Sequence, residues 1–207
     1  MEFFIILLSK QNKEQILKHK TLTPKLKNDL KLEIKKFYSK RKLIELKNFL
    51  SLKWKKIDKT FWKRIEEITN VPWKFNKYVC FINNVTIGHY LIPNEIRISE
   101  KNPYTIAEEL FHLHYWYIWK KLFKINERHP QKLNICGKKW SIWHVSETIV
   151  EFVLLKDKIL KRFWKVNREA SYPWLPKIRK ILYPLWIKRK NFNSFLLDAH
   201  KACGIKI

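Results

Sequence analysis

Acidic residues are scarce in this chain. Eighteen Asp and Glu stand against 44 Lys and Arg, a formal charge of +26. That excess goes far beyond what solubility requires, so an anionic partner or surface is expected. Cysteine is sparse too: Cys80, Cys136 and Cys203 are odd in number and far apart. A zinc ribbon, a thioredoxin-like pair and a disulfide framework are thereby excluded, and a reducing, cytoplasmic setting is expected. Glycine occurs only 3 times, while Lys, Ile, Asn and Phe abound. An AT-rich genome produces such a composition without selection, so part of the charge is compositional. No apolar run escapes Lys or Arg long enough to span a bilayer. The opening Phe3-Phe4-Ile5-Ile6-Leu7-Leu8 follows the acid Glu2 and lacks a small-residue cleavage site, so it does not read as a signal peptide. There is no internal repeat, low-complexity linker or recognised nucleic-acid motif.

What is present suffices for a core: 46% of residues are hydrophobic and 15% aromatic, which excludes disorder as the global state. The charge is unevenly placed. From Lys10 to Arg64 there are 19 basic residues, and from Lys156 to Lys190 there are 12, against only Asp157 and Glu169 in that second stretch. Between them, Val79 to Trp119 is locally acidic, with Arg97 and Lys101 against Glu95, Glu100, Glu108 and Glu109. Three regions follow, expected to form one compact unit: a basic helical region over 1–70, a core over 71–160 and a second basic helical region over 161–207.

Apolar residues at three- and four-residue steps, as in Leu43, Ile44, Leu46, Phe49 and Leu50, predict helix through the first region. After Pro72 the pattern predicts strands over 77–82, 86–92 and 95–99, with an Asn83-Asn84 turn, pairing as a small antiparallel sheet. Asn102-Pro103 supplies a cap and a first-turn proline, predicting a long helix from Tyr104 to about Lys124. A second helix is predicted over Ile142 to Lys156. Beyond it, Pro173, Pro176 and Pro184 predict short, broken helices. The fold class is therefore α+β.

The chemistry-bearing residues concentrate on the two central helices. At about 100° per residue, Glu108, Glu109 and His112 share one arc of roughly 100°, with His114 on the far side. On the second helix His144, Glu147 and Glu151 lie at steps of three and four, among Trp140, Ile142, Trp143, Ile149, Val150 and Phe152. Two apolar helices that each present an acid-and-imidazole face suit a shared metal or acid-base site. An inter-helical salt bridge, for example His112 with Glu147, accounts for the same pattern without a metal.

The order of helical preamble, strands, an edge strand ending at Ser99 and then Thr105-Ile-Ala-Glu-Glu-Leu-Phe-His-Leu-His114 resembles the HExxH zinc metallopeptidases of the gluzincin type. The resemblance covers roughly Tyr78 to Asp157. It implies a zincin-like fold, an active-site helix followed by a glutamate helix, an edge strand that binds extended substrate, and hydrolysis of a peptide or protein. Glu109 matches the general base, His112 the second histidine ligand and Glu147 the downstream glutamate ligand. Glu151 is an outer or alternative ligand in that scheme, as are His144 and His114. The chain departs from the pattern at the first ligand, where Glu108 replaces histidine.

A set of Glu108, His112 and Glu147 carries two negative charges where the usual set carries one. The extra charge weakens a bound zinc as a Lewis acid. Carboxylates also suit manganese or iron, and a pseudoenzyme that has lost the metal is the third outcome. The pairs Glu109-x-x-His112 and His144-x-x-Glu147 are similar as well to those of ferritin-like di-iron helices, but the strands before Tyr104 break the four-helix pattern. His89 lies in a predicted strand, and His19, His129 and His200 have no partner at ligand spacing.

In the basic flanks, Lys53-Trp54-Lys55-Lys56, Phe61-Trp62-Lys63-Arg64, Arg162-Phe163-Trp164-Lys165 and Trp186-Ile187-Lys188-Arg189-Lys190 interleave aromatics with cations. They suit nucleic acid or another polyanion, with bases stacked on the rings, or an anionic membrane surface. A non-catalytic binder of nucleic acid or ribonucleoprotein is the alternative function. On helices the same spacing places the rings in the core and the lysines in water.

Overall fold

The computed structural model describes residues 2–7, 40–82, 89–91, 93–127, 133, 135–170 and 172–207. The elements in order are β1 (Glu2–Leu7), α1 (Lys40–Lys55), α2 (Asp58–Thr69), β2 (Lys77–Ile82), β3 (His89–Leu91), β4 (Glu95–Ile98), α3 (Pro103–Leu122), α4 (Ile142–Glu151), α5 (Leu175–Lys188) and α6 (Phe192–Ala202). The class is helix plus a small sheet. No helix among the described residues is long and apolar enough to cross a membrane. His19, His129 and the Asn83-Asn84 turn lie outside the described residues.

The sheet differs from the expected antiparallel arrangement. Its order is β1-β2-β4-β3, with β1 parallel to β2 and β2 parallel to β4. Only β3 runs antiparallel, paired with β4 through His89 opposite Arg97 and Leu91 opposite Glu95. The edge strand is therefore β3, not the strand ending at Ser99, which lies inside the sheet. Ile96 and Ile98 are fully buried and alternate with half-buried Glu95 and Arg97, so β4 turns one face to the core, a pattern that either strand direction satisfies. The opening apolar run forms β1, the other edge of the sheet, paired with β2.

Helix α3 is the axis of the molecule. The Asn102 side chain accepts from the Tyr104 amide at 3.0 Å, Pro103 opens the first turn, and Lys120 and Lys121 meet the negative end of the helix dipole. Fourteen of its residues are buried, so it has almost no solvent face and its polar side chains must find partners inside. Helix α4 starts on a capping box made by Ser141 and His144 and passes into a π-helical turn, Phe152–Lys156. Widened turns of this kind frequently adjoin functional sites.

The expectation of helices broken at proline fails in α5, which continues through Pro184. Pro184 is exposed, so the carbonyl it leaves unbonded faces water, while Leu182 and Trp186 on either side are anchored in the core. Buried residues from Leu43 to Ile205 form one hydrophobic cluster that draws on all three regions of the chain. The aromatics of the basic flanks belong to it: Trp54, Phe61, Trp62, Trp164 and Trp186 are buried while Lys53, Lys55, Lys56 and Lys63 are exposed. Those rings are core residues and offer no stacking platform to nucleic-acid bases.

Candidate metal centre

Three elements meet around a buried ionic cluster. Helix α3 contributes Glu108, Glu109 and His112, α4 contributes Glu147, and a short 3-10 turn, Arg168–Ala170, contributes Arg168. His112, Glu147 and Arg168 are each no more than 5% exposed. His112 Nε2 lies 3.2 Å from Glu147 Oε1. The inter-helical pair expected without a metal is thus present. One ligand atom from each of Glu108, His112 and Glu147 also lies within 4.8 Å of the others.

Arg168 closes the cluster. Its Nη2 donates to Glu108 Oε1 at 2.8 Å and to Glu147 Oε2 at 2.5 Å, and its Nη1 donates to the Glu147 carbonyl at 2.5 Å. The Tyr172 ring covers the guanidinium at 4.8 Å. Two carboxylates buried among apolar side chains are strongly unfavourable alone, and a planar fork of donors that reaches both is the group best able to hold them. Tyr90, on the edge strand, stacks on the His112 ring at 5.3 Å and accepts from the Trp116 indole at 2.8 Å.

The field in the cluster divides its acids. Burial pushes Glu109 up to about 8, only partly offset by His112. Burial likewise raises Glu108 against the pull of Arg168. Burial opposes ionisation of Glu147 as well, but His112 and Arg168 together hold it below the usual carboxylate range. Burial disfavours the charged form of His112, yet Glu147, Glu109 and Glu108 raise it overall.

The other candidates from the sequence go elsewhere. The His144 ring caps α4, with Nδ1 at 2.8 Å from Ser141 Oγ, and packs against Trp140, Trp143 and Trp174. It does not join Glu147, so the di-iron arrangement does not assemble. Glu151 pairs with Arg179 at 2.9 Å and with Lys156 at 3.7 Å. His114 bonds Thr69 Oγ1 through Nε2 at 3.0 Å and lies on Trp73. The Thr69 hydroxyl already donates to the Ile65 carbonyl, so His114 Nε2 carries the proton toward it. None of the three substitutes for a ligand. His200 accepts from the Trp119 indole, away from the cluster.

Arg168, Tyr90 and Tyr172 were not legible as site residues. The one available signal was indirect: two acids on apolar faces demand a counter-cation. Nothing in the sequence distinguishes Arg168 from the other cations of its basic segment.

The donor set fits a divalent cation in kind, with one imidazole nitrogen and two carboxylates. A tetrahedral ion with bonds of about 2.1 Å holds its ligands about 3.4 Å apart; His112 and Glu147 already stand 3.2 Å apart, so the adjustment falls on the wider contacts to Glu108. Arg168 would have to give up its contacts with both carboxylates. In comparisons with protein families, curated proteins and solved structures, nothing matches this chain.

Proposed function

We propose that this chain is a metallopeptidase-like protein of zincin type in which Glu108, His112 and Glu147 hold a divalent cation for peptide-bond hydrolysis. The observation that carries this reading is the convergence of the three ligand atoms within 4.8 Å, beside Glu109, in an otherwise apolar interior. A cation held there supplies Lewis acidity toward the scissile carbonyl and acidifies water. Zinc fits the imidazole, and the two carboxylates favour manganese or iron more than a two-histidine set does. Glu109 is the proton acceptor in its ionised form, which the positive charge of a cation beside it would favour against burial; it takes the proton of the attacking water and returns it to the departing amine. Arg168, released from the ligands, stays beside Glu108 and Glu147 as a fixed positive charge toward the substrate carbonyl oxygen. The peptide or protein substrate would lie along the edge strand β3, next to Tyr90.

One observation favours a second reading. Arg168 already occupies the position of a counter-cation, bonded to both carboxylates. In that reading the cluster is a permanent internal ion network, the scaffold is a pseudoenzyme, and the basic exterior carries the function as a binder of nucleic acid or another polyanion.

Elemental mass spectrometry of untagged protein separates the two. Near-stoichiometric metal in the native protein, lost in His112→Ala, is the result expected of a working site. Native protein without metal, together with zinc in Glu108→His, selects the pseudoenzyme. Absence of metal from both, and from Arg168→Met, reduces the cluster to ion pairs.

A further inference from the structure

A cleft of about 270 Å3 opens between the C-terminal half of α3 and the segment that enters β2. It is separate from the ionic cluster, and the inference drawn from it does not rest on the metal reading. Its walls are apolar and aromatic, built from Phe75, Leu113, Trp116 and Tyr117. Leu113 and Trp116 are buried in the core and fix the floor, whereas Phe75 and Tyr117 remain half-buried at the mouth.

The rim is cationic. Lys74, Lys120 and Lys121 line the cleft, and no Asp or Glu among the described residues does. The Lys74 ammonium sits 5.0 Å from the Phe75 ring and 5.6 Å from the Tyr117 ring, and that of Lys121 sits 5.8 Å from Tyr117. Elsewhere, the half-buried Arg64 and Arg179 are matched with carboxylates, Asp157 and Glu151. Here the Lys74 and Lys121 ammonium groups lie over aromatic faces, Lys120 lines the same rim, and no carboxylate among the described residues lines the cleft.

We propose that this cleft binds a small organic anion, with an apolar body seated against Leu113 and Trp116 and an anionic headgroup held by Lys74, Lys120 and Lys121. A cleft of this volume is of the size that one small organic molecule, such as a medium-chain carboxylate, fills. Removing that body from water against aromatic walls supplies the affinity, and the lysines supply the preference for charge. A nucleic-acid strand is the weaker fit, because Lys74 and Lys121 already lie over the Phe75 and Tyr117 rings at the mouth and compete with a base for those faces.

Titration calorimetry with decanoate, decanol and acetate, against the full chain at moderate salt, tests the proposal. Saturable one-to-one binding of decanoate is expected, with decanol at least tenfold weaker and acetate not bound. The double variant Lys120→Met, Lys121→Met should lose at least tenfold in decanoate affinity while remaining folded, with a melting temperature lowered only slightly by the loss of two charges at the C-terminal end of α3. Equal binding of decanol and decanoate, or a double variant that binds as the native protein does, would overturn the assignment. So would a deoxythymidine oligonucleotide that binds the native protein and excludes decanoate.

Discussion

At the scale of single residues, burial decides what each histidine does. His112 is surrounded by acids and is held in the charged form, whereas His200 is surrounded by rings. The His200 Nδ1 proton goes to the Leu196 carbonyl at 2.7 Å and its Nε2 accepts from the Trp119 indole at 2.9 Å. A second proton on Nε2 would face that indole N–H, and burial lowers its pKa to about 4. A histidine with a depressed folded pKa costs nothing above its ordinary value of about 6.5, and costs progressively more as pH falls from there toward 4. The full difference amounts to about 3 kcal/mol. His200→Gln should therefore be the less stable protein at pH 7, with the gap to native narrowing by about 2 kcal/mol at pH 4.5, as read from urea midpoints. Parallel stability curves would show that His200 keeps its ordinary pKa.

Arg168 is the matching case for a buried cation. Its removal leaves Glu108 without its ion-pair partner and Glu147 with His112 alone, and breaking a buried pair in this way costs about 3–5 kcal/mol where it has been measured in other proteins. Arg168→Met should lose that stability in metal-free buffer, and millimolar zinc or manganese should restore a large part of it if the three ligands form a cation site. Loss without recovery in thermal melts would assign the three side chains to the ion network alone. Neither Arg168 nor its role was legible in the sequence, because a counter-cation is chosen by position in space, and the basic segment around it supplies many equivalent candidates.

At the scale of elements, local signals were legible and distant pairings were not. Helix α3 follows from a cap, a proline and an apolar run that lie within a few residues of one another. The acid-and-imidazole arc on α3 was legible for the same reason, and so was the placement of Glu147 on the facing helix. The parallel pairing of β1 with β2 joins residues some seventy positions apart in the chain, and no local pattern specifies it. Nor does local pattern show that Pro184 faces water, which is what lets α5 continue through it. The turn before α4 shows a further long-range constraint. A side-chain carbon on Gly137 would lie 2.1 Å from the Cys203 carbonyl oxygen and 2.9 Å from the Gly204 carbonyl carbon. Both obstacles are backbone, so they cannot swing aside. Gly137 also bonds the Trp140 carbonyl through its amide at 2.8 Å, in the turn that delivers Ser141 to cap α4. Gly137→Ala should force the C-terminal end of α6 away from this turn and cost about 2–4 kcal/mol, measured by chemical denaturation. Exposed Gly204, which has nothing within reach of an added carbon but a φ of +65°, should lose only about 1 kcal/mol on the same change.

At the scale of the whole molecule, the large excess of bases lies at the surface, while a few acids are drawn into the interior around Arg168 and His112. The cluster of Glu108, Glu109 and Glu147 is buried with Arg168 and His112, while the lysines of α1, α2 and α5 face water around a core that holds their neighbouring aromatics. The consequence for polyanions is specific. Association driven by an exterior of this kind follows counterion release, so affinity falls steeply with salt and scales with the density of phosphates rather than with base exposure. Duplex DNA carries more charge per length than a single strand, and Trp54, Trp62, Trp164 and Trp186 are buried and unable to stack on unpaired bases. Duplex should therefore bind at least as tightly as a single strand of equal length, with a linear fall of log affinity against log salt, in fluorescence anisotropy from 50 to roughly 200 mM salt. A single strand that bound tenfold tighter than duplex would mean that aromatic rings reach the bases, which the packing of these four tryptophans opposes. An affinity insensitive to salt would remove the exterior charge from any account of function and leave the buried cluster and the lysine-rimmed cleft as the sites where this protein acts.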